Sequence, residues 1–267
     1  MQPSASVQRG FTLLEMLVSM AIFLIICGAM FELLSVAQKK YSSETQLTAA
    51  YQDSRLALDQ IVRDVNASGF PSFILFSSLP TTHPSRYANG PVAWSPNYPT
   101  IPCTIGTGGG GTCATPGDYD LIVETRLSTD TRVSWIWYHL DGTTLTRAVV
   151  RKTYGDPQAV VTSAGEQVVF LSNVVNVTGA SNTQLTAQYP TMFPAGQPVP
   201  IFQYTCNTPS GPLPCTSSLA VGYNAPQNIS DVDVTLIVMT PQTDLQTQGL
   251  KLVELNGRGH GANPVGF

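Results

Sequence analysis

Gly10-Phe11-Thr12-Leu13-Leu14-Glu15 opens a long apolar run, continued from Met16 to Leu34 as MLVSMAIFLIICGAMFELL. From Met16 to Phe31 it holds no charged residue; Glu15 stands near its start and Glu32 near its end. At 1.5 Å per residue, Phe11 to Leu34 as a helix spans roughly 36 Å, enough to cross a bilayer. Ahead of it lie ten mostly polar or small residues, MQPSASVQRG, ending in Arg9 and Gly10. A secretory signal closes its apolar run with a small-residue cleavage site of the A-x-A kind. None closes this run, so the segment reads as a retained membrane helix. On hydropathy alone a simple signal anchor accounts for it.

The helix continues beyond the span. Leu47, Tyr51, Leu58, Ile61, Val62 and Val65 recur at helical spacings and mark one apolar face. Gln52, Asp53, Arg55, Asp59, Arg63 and Asp64 are assigned to the opposite side. Gly69-Phe70-Pro71 supplies the stop, Gly at the end and Pro two residues on. The expected helix, residues 11–68, is roughly 87 Å long. Its first half is apolar all round; its second half is amphipathic and suited to packing on a sheet. No heptad is sustained, which sets a coiled coil aside.

GFTLLEMLV, with Gly10, Phe11 and Glu15 ahead of an unbroken apolar run, resembles the type III signal of type IV prepilins and type II secretion pseudopilins. The resemblance covers residues 9 to about 34. It implies cleavage after Gly10 by a membrane aspartyl prepilin peptidase, and methylation of the new N-terminal Phe11. RLALDQIVRDVNASGFP (55–71) is similar, more loosely, to the stem of PilW-type minor pilins and J-type pseudopilins. Many major pilins break the membrane helix with Pro; this chain has only Gly28 there, so a continuous stem is expected.

Glu15 is the residue that physics singles out. A carboxylate at the centre of a membrane helix costs about 2.5–3.5 kcal/mol on insertion scales, less toward the edge. An acid at such a site is a functional candidate. Snorkelling to the headgroups is one way to accommodate it. The resemblance implies another: the freed amino group of Phe11 on a neighbouring subunit neutralises it and sets the register between helices. The surrounding motif favours the second reading.

Composition bounds the remainder. The chain has 267 residues, 11% of them charged, with a net charge of −4 and pI near 5.3. Such a balance gives no general attraction to nucleic acid or anionic lipid. Of five cysteines, Cys27 lies in the apolar run, while Cys103/Cys113 and Cys206/Cys215 form two closely spaced couples. Four cysteines allow three connectivities, of which closing two short loops is the simplest. Neither couple has zinc-site spacing. Disulfides, and hence an oxidising compartment, are expected. Arg9 on one side of the span and Lys39 and Lys40 on the other leave the positive-inside count undecided. The cysteines place the C-terminal side outside the cytoplasm.

After a Pro- and Gly-rich stretch (71–114), strands are expected at 121–125, 132–140, 143–150, 168–177, 184–189, 201–204 and 229–240. Asp141-Gly142 marks a hairpin. The economical architecture is α+β: one long N-terminal helix packed on an antiparallel β-sheet head. The expected organisation is a leader (1–10), a membrane and stem helix (11–69) and a β-rich head (70–267). The LDG hairpin ending in LTR, followed late by VDVTLIV, is similar to PilW-type heads.

Catalytic sets are missing. His83, His139 and His260 are scattered, and G-x-S-x-G, HExxH and kinase signatures do not occur. Gly106 to Gly111 satisfies G-x-G-x-x-G but has no Lys-Ser/Thr after it, so it reads as a loop. Asp118/Asp120 and Asp231/Asp233 are acid pairs able to assist a calcium ion, or plain solvent-facing acids. Trp135 and Trp137 share a strand face with Val133, expected in the core, a glycan platform being the alternative. The expectation is therefore a non-enzymatic filament subunit without cofactor. Its expected partners are prepilin peptidase, other major and minor pilins, the inner-membrane assembly platform and, before assembly, membrane lipid. Binding of nucleic acid or surface glycan stays open. Minor pilin is the first reading, pseudopilin or tip adhesin the alternatives, and membrane-anchored enzyme the least supported.

Overall fold

One helix, α1, runs unbroken over the 54 residues Leu13–Asn66, about 81 Å. The structure is a computed structural model and describes residues 12–72, 84–94, 117–127, 131–153, 155–164, 166–216, 219, 223–244 and 249–262. No proline interrupts α1, and Leu, Ala, Met and Gln, all good helix formers, recur through it. Its end follows the sequence: Ala67 caps it, donating to Arg63 O and Val65 O, and Gly69 turns the chain at φ +79°.

Among the described residues the head forms two four-stranded antiparallel sheets rather than one. In the first, β1 (Asp120–Arg126), β2 (Val133–Asp141), β3 (Thr144–Arg151) and β4 (Val168–Leu171) lie in sequential order. In the second, β5 (Phe202–Thr208), β6 (Gly211–Pro214), β7 (Ile229–Met239) and β8 (Leu252–His260) run in the order β6-β5-β7-β8. Two short helices, α2 (Pro157–Ala164) and α3 (Thr183–Gln188), fill the connections.

Both sheets and the stem share one core. Ala57, Leu58, Ile61 and Val65 of α1 pack with Val123, Ile136 and Tyr138 of the first sheet and with Val232, Val234 and Leu236 of the second. The far face of the first sheet is also covered: Trp135 and Trp137 are buried with Ile122, Ala148, Trp94 and Val161 of α2. That double cover explains the burial of Val133 to Tyr138 without alternation. The far face of the second sheet carries Ile237 and Leu252 against Leu185 of α3 and Phe193.

Four expectations need correction. Residues 184–189 are not a strand but the turn-and-a-half of α3, because Asn182 Oδ1 accepts from the amides of Gln184 and Leu185 at 3.0 and 3.2 Å and caps it. The strand expected over 168–177 stops at Leu171; Asn173 takes φ +61° and Val174 bridges to Val238 of the other sheet. Tyr51, assigned to the apolar face, is 43% exposed. Asp64, assigned to the polar face, is buried; it lies next to Val65 and three residues after Ile61, at the margin of the stripe. Its carboxylate is fully engaged: Gln60 Nε2 donates to Oδ1 at 2.8 Å, and Tyr138 Oη and Arg147 Nη2 donate to Oδ2 at 2.6 and 2.8 Å. Burial, then the charge of Asp64, pushes the Tyr138 hydroxyl far above its ordinary value, so it stays a donor.

Strand β8 was hidden in what reads as a glycine-rich tail. Its glycines let the stem approach: a Cβ on Gly259 would sit 2.6 Å from Val65 Cβ, and one on Gly257 2.9 Å from Leu58 Cδ1. Gly259→Ala therefore forces helix and strand apart, with an expected loss of about 1–3 kcal/mol. Urea unfolding of the full chain in detergent checks this. The rescue is tested at the neighbouring glycine, where Leu58→Ala removes the Cδ1 that Gly257→Ala would meet and should recover part of that variant's loss; a double variant as weak as the sum of the singles would contradict steric contact.

Candidate functional site: the uncovered N-terminal helix

Two halves of α1 live in different surroundings. From Ser43 onward the inward positions are buried against the head; from Leu13 to Val36 none is. The large apolar side chains there are exposed, from 80% at Leu13 to 47% at Val36. A continuous apolar surface of this size on a helix long enough to cross a bilayer requires lipid or another apolar surface around it. Among its polar side chains, Ser19 Oγ donates to Met16 O at 2.9 Å.

Glu15 is no loose carboxylate. Thr12 is the N-cap of α1, and the two residues close a capping box. Thr12 N and Thr12 Oγ1 both donate to Glu15 Oε2 at 3.0 Å, and Glu15 N donates to Thr12 Oγ1 at 3.3 Å. The acid is thus turned back toward the amino end of the helix, where the helix dipole favours negative charge. Thr12 was missed in the sequence, although T-x-x-E ahead of an apolar run is the signal for such a box.

A family model, the prokaryotic N-terminal methylation motif, matches residues 5–31. The chain carries a type IV prepilin-like signal. No curated protein and no solved structure matches it. The motif spans Gly10, Phe11 and Glu15 together with most of the uncovered half of the helix, so the two observations coincide on one segment. Gly10 and Phe11 themselves lie outside the described residues.

The remaining candidate residues distribute as follows. Cys206 of β5 is bonded to Cys215, just past β6, and staples that hairpin with Cα atoms 5.1 Å apart. Cys103 and Cys113 lie outside the described residues, as do His83 and residues 106–111. Cys27 is a free thiol within the apolar helix. Of the acids expected as possible calcium ligands, Asp120, Asp231 and Asp233 are engaged by protein groups. Asp120 accepts from Trp137 Nε1 at 3.0 Å and meets His139 Nδ1 at 2.7 Å. That hydrogen bond holds the His139 imidazole above its ordinary range against partial burial. Asp231 meets Arg258 Nε at 3.2 Å and His260 Nδ1 at 3.1 Å. Burial opposes its ionisation, but hydrogen bonds from Ser230, Arg258 and His260 hold it below the usual carboxylate range. Among the described residues no group of His, Cys, Asp and Glu has the arrangement of a metal site. The tryptophans are core residues, Trp135 at 0% and Trp137 at 4% exposure, which leaves no aromatic platform on that strand.

Proposed function

We propose that the chain is a minor pilin of a type IV pilus, cut after Gly10 and built into the filament through its N-terminal helix. The observation that carries this reading is the coincidence of the methylation motif with an apolar helix that the head leaves bare. In it, residues 1–10 are the leader, 11–69 the membrane and stem helix, and 70–267 the head. Prepilin peptidase and the inner-membrane assembly platform act on it while it is anchored in the inner membrane with its head in the periplasm. Other pilins then take the place of lipid around residues 13–36. Filament initiation or the tip is the position that the large head suits. A pseudopilin of a type II secretion system shares the motif; gene neighbours, a pilus retraction ATPase or a secretion operon, separate the two.

Mass spectrometry of protein extracted from membranes tests the processing step. The expected N-terminal peptide begins at methylated Phe11. A mature chain that starts at Met1 would end this reading.

A further inference from the structure

Each sheet of the head has two edges, and an edge strand left bare is a template on which another chain can pair. Among the described residues, three of the four edges are covered or guarded. At β1, Val92 bridges to Val123, Ala93 N donates to Ile122 O at 2.8 Å and Glu124 N to Pro91 O at 3.0 Å. β8 lies against the stem, with Asn66 Oδ1 accepting from His260 N at 2.8 Å. β6 carries Pro212 and Pro214, which have no amide hydrogen to offer, and the bond from Cys206 to Cys215 staples it. β4 is the exception. It pairs with β3 alone, and among the described residues the outward amides and carbonyls of Val168–Leu171 meet no other backbone. Neither Pro nor Lys guards it: its residues are Val-Val-Phe-Leu, with Val168 and Val169 63% and 62% exposed.

Beside this edge a groove of about 660 Å³ separates β4 from the stem, lined by Ala50 and Leu56 of α1, Val169 and Phe170 of β4, Val238 of β7 and Pro241. Asp53 is the one charged residue in its lining. From the open edge and the groove beside it we infer that a strand from the head of a different pilin adds to β4. The inference rests on the filament-subunit reading above. α1 forms one wall of the groove, so a pilin lying along the bare part of that helix carries its own head to this level. As a tip or initiating subunit, this chain stands beside other pilins, so the occupant is a different pilin and not a second copy. The added strand is about four residues long, roughly 13 Å, to match β4. Its backbone supplies the hydrogen bonds that the edge lacks, and its inward side chains fill the groove. In a groove with a single acid those side chains are uncharged, and β-branched residues such as Val, Ile or Thr fit a pleated, half-buried edge.

Photo-cross-linking of the full chain in whole cells reads the occupant. The photoreactive residue p-benzoylphenylalanine replaces Val169 or, as a control on the guarded β6 edge, Leu213; both positions are exposed. Illumination should join position 169 to a head strand of another pilin, mapped by mass spectrometry to an uncharged segment, at about five times the yield from position 213. Val168→Lys added to the 169 probe should lower that product about tenfold, whereas Val168→Thr should keep it. Ser172→Lys, at an exposed position lining the groove just past β4, should cause the same loss independently. Urea midpoints in detergent, expected to match the parent chain, show that these exposed positions leave the head folded. A product with a second copy of this chain, with lipid, with a pilin stem or with a protein that is not a pilin would overturn the pairing. So would equal yields at the two positions, no product, or a product indifferent to both lysines. Methylated Phe11 is read separately from the same membranes, so loss of this inference and loss of the filament reading are distinguishable.

Discussion

Glu15→Ala is expected to leave the protein fully inserted in the membrane while lowering its share of sheared filaments at least tenfold. Insertion survives because the substitution removes the one costly group in the first turn, worth up to about 3 kcal/mol on insertion scales. Incorporation falls because a neighbour's amino group, drawn into an apolar bundle, loses the carboxylate that neutralises it. Breaking one side of a buried ion pair costs about 3–5 kcal/mol, more than the about 1.4 kcal/mol that a tenfold change requires. The capping box offers a competing explanation, namely that Glu15 merely fastens the first turn through Thr12. Glu15→Gln separates the two. Its amide oxygen can still accept from Thr12, but it carries no charge. Filament yields as low as those of Glu15→Ala assign the effect to charge; wild-type yields would leave Glu15 a helix cap and nothing more. Immunoblots of sheared and membrane fractions give both quantities from one culture.

How much of this was legible beforehand depends on the range of the interactions concerned. Leu13 to Asn66 was readable because helix formation is local: residue spacing and the Gly69-Phe70-Pro71 stop need no knowledge of the head. The hairpin at Gly142 and strand β7, with Val232, Val234, Leu236 and Val238 on one face, were readable for the same reason. Strand β8 was not, since the glycines that admit the stem are the residues that make a sequence look like a loop. Asp64 was misplaced because a helical wheel ranks an acid as polar whatever meets it, and Arg147 and Tyr138 arrive from 83 and 74 residues away. Periodicity likewise put the tryptophans in the core but gave no sign that Trp135 Nε1 donates to a buried carboxylate, Glu124, at 3.0 Å.

That carboxylate carries the second large effect. Lys152→Met is expected to cost about 3–5 kcal/mol of head stability, whereas Lys152→Met combined with Glu124→Leu should cost less than either single change. Lys152 and Glu124 are buried, at 2% and 0% side-chain exposure, with Nζ and Oε2 2.9 Å apart. Burial draws the lysine below its ordinary range, and the glutamate's charge opposes that pull. Each ion is saturated. Lys152 Nζ also donates to Tyr87 O at 2.9 Å and to Asn89 Oδ1, while Glu124 accepts from the Asn89 amide at 2.8 Å and from Trp135. Together they fasten residues 87–89 to β1 and β2, on the side of the first sheet away from the stem. Removing the ammonium alone leaves a carboxylate stranded in apolar surroundings; removing both abolishes that charge, although Trp135 Nε1, the Asn89 amide and Tyr87 O lose these partners, so part of the loss remains. The full chain in detergent, unfolded by urea and followed by tryptophan fluorescence, reports this, because Trp135 is bonded to the group in question. A double variant weaker than Lys152→Met would mean that the pair stabilises the head in its own right; a double variant recovering stability would mean that it chiefly fixes where the 87–89 segment docks.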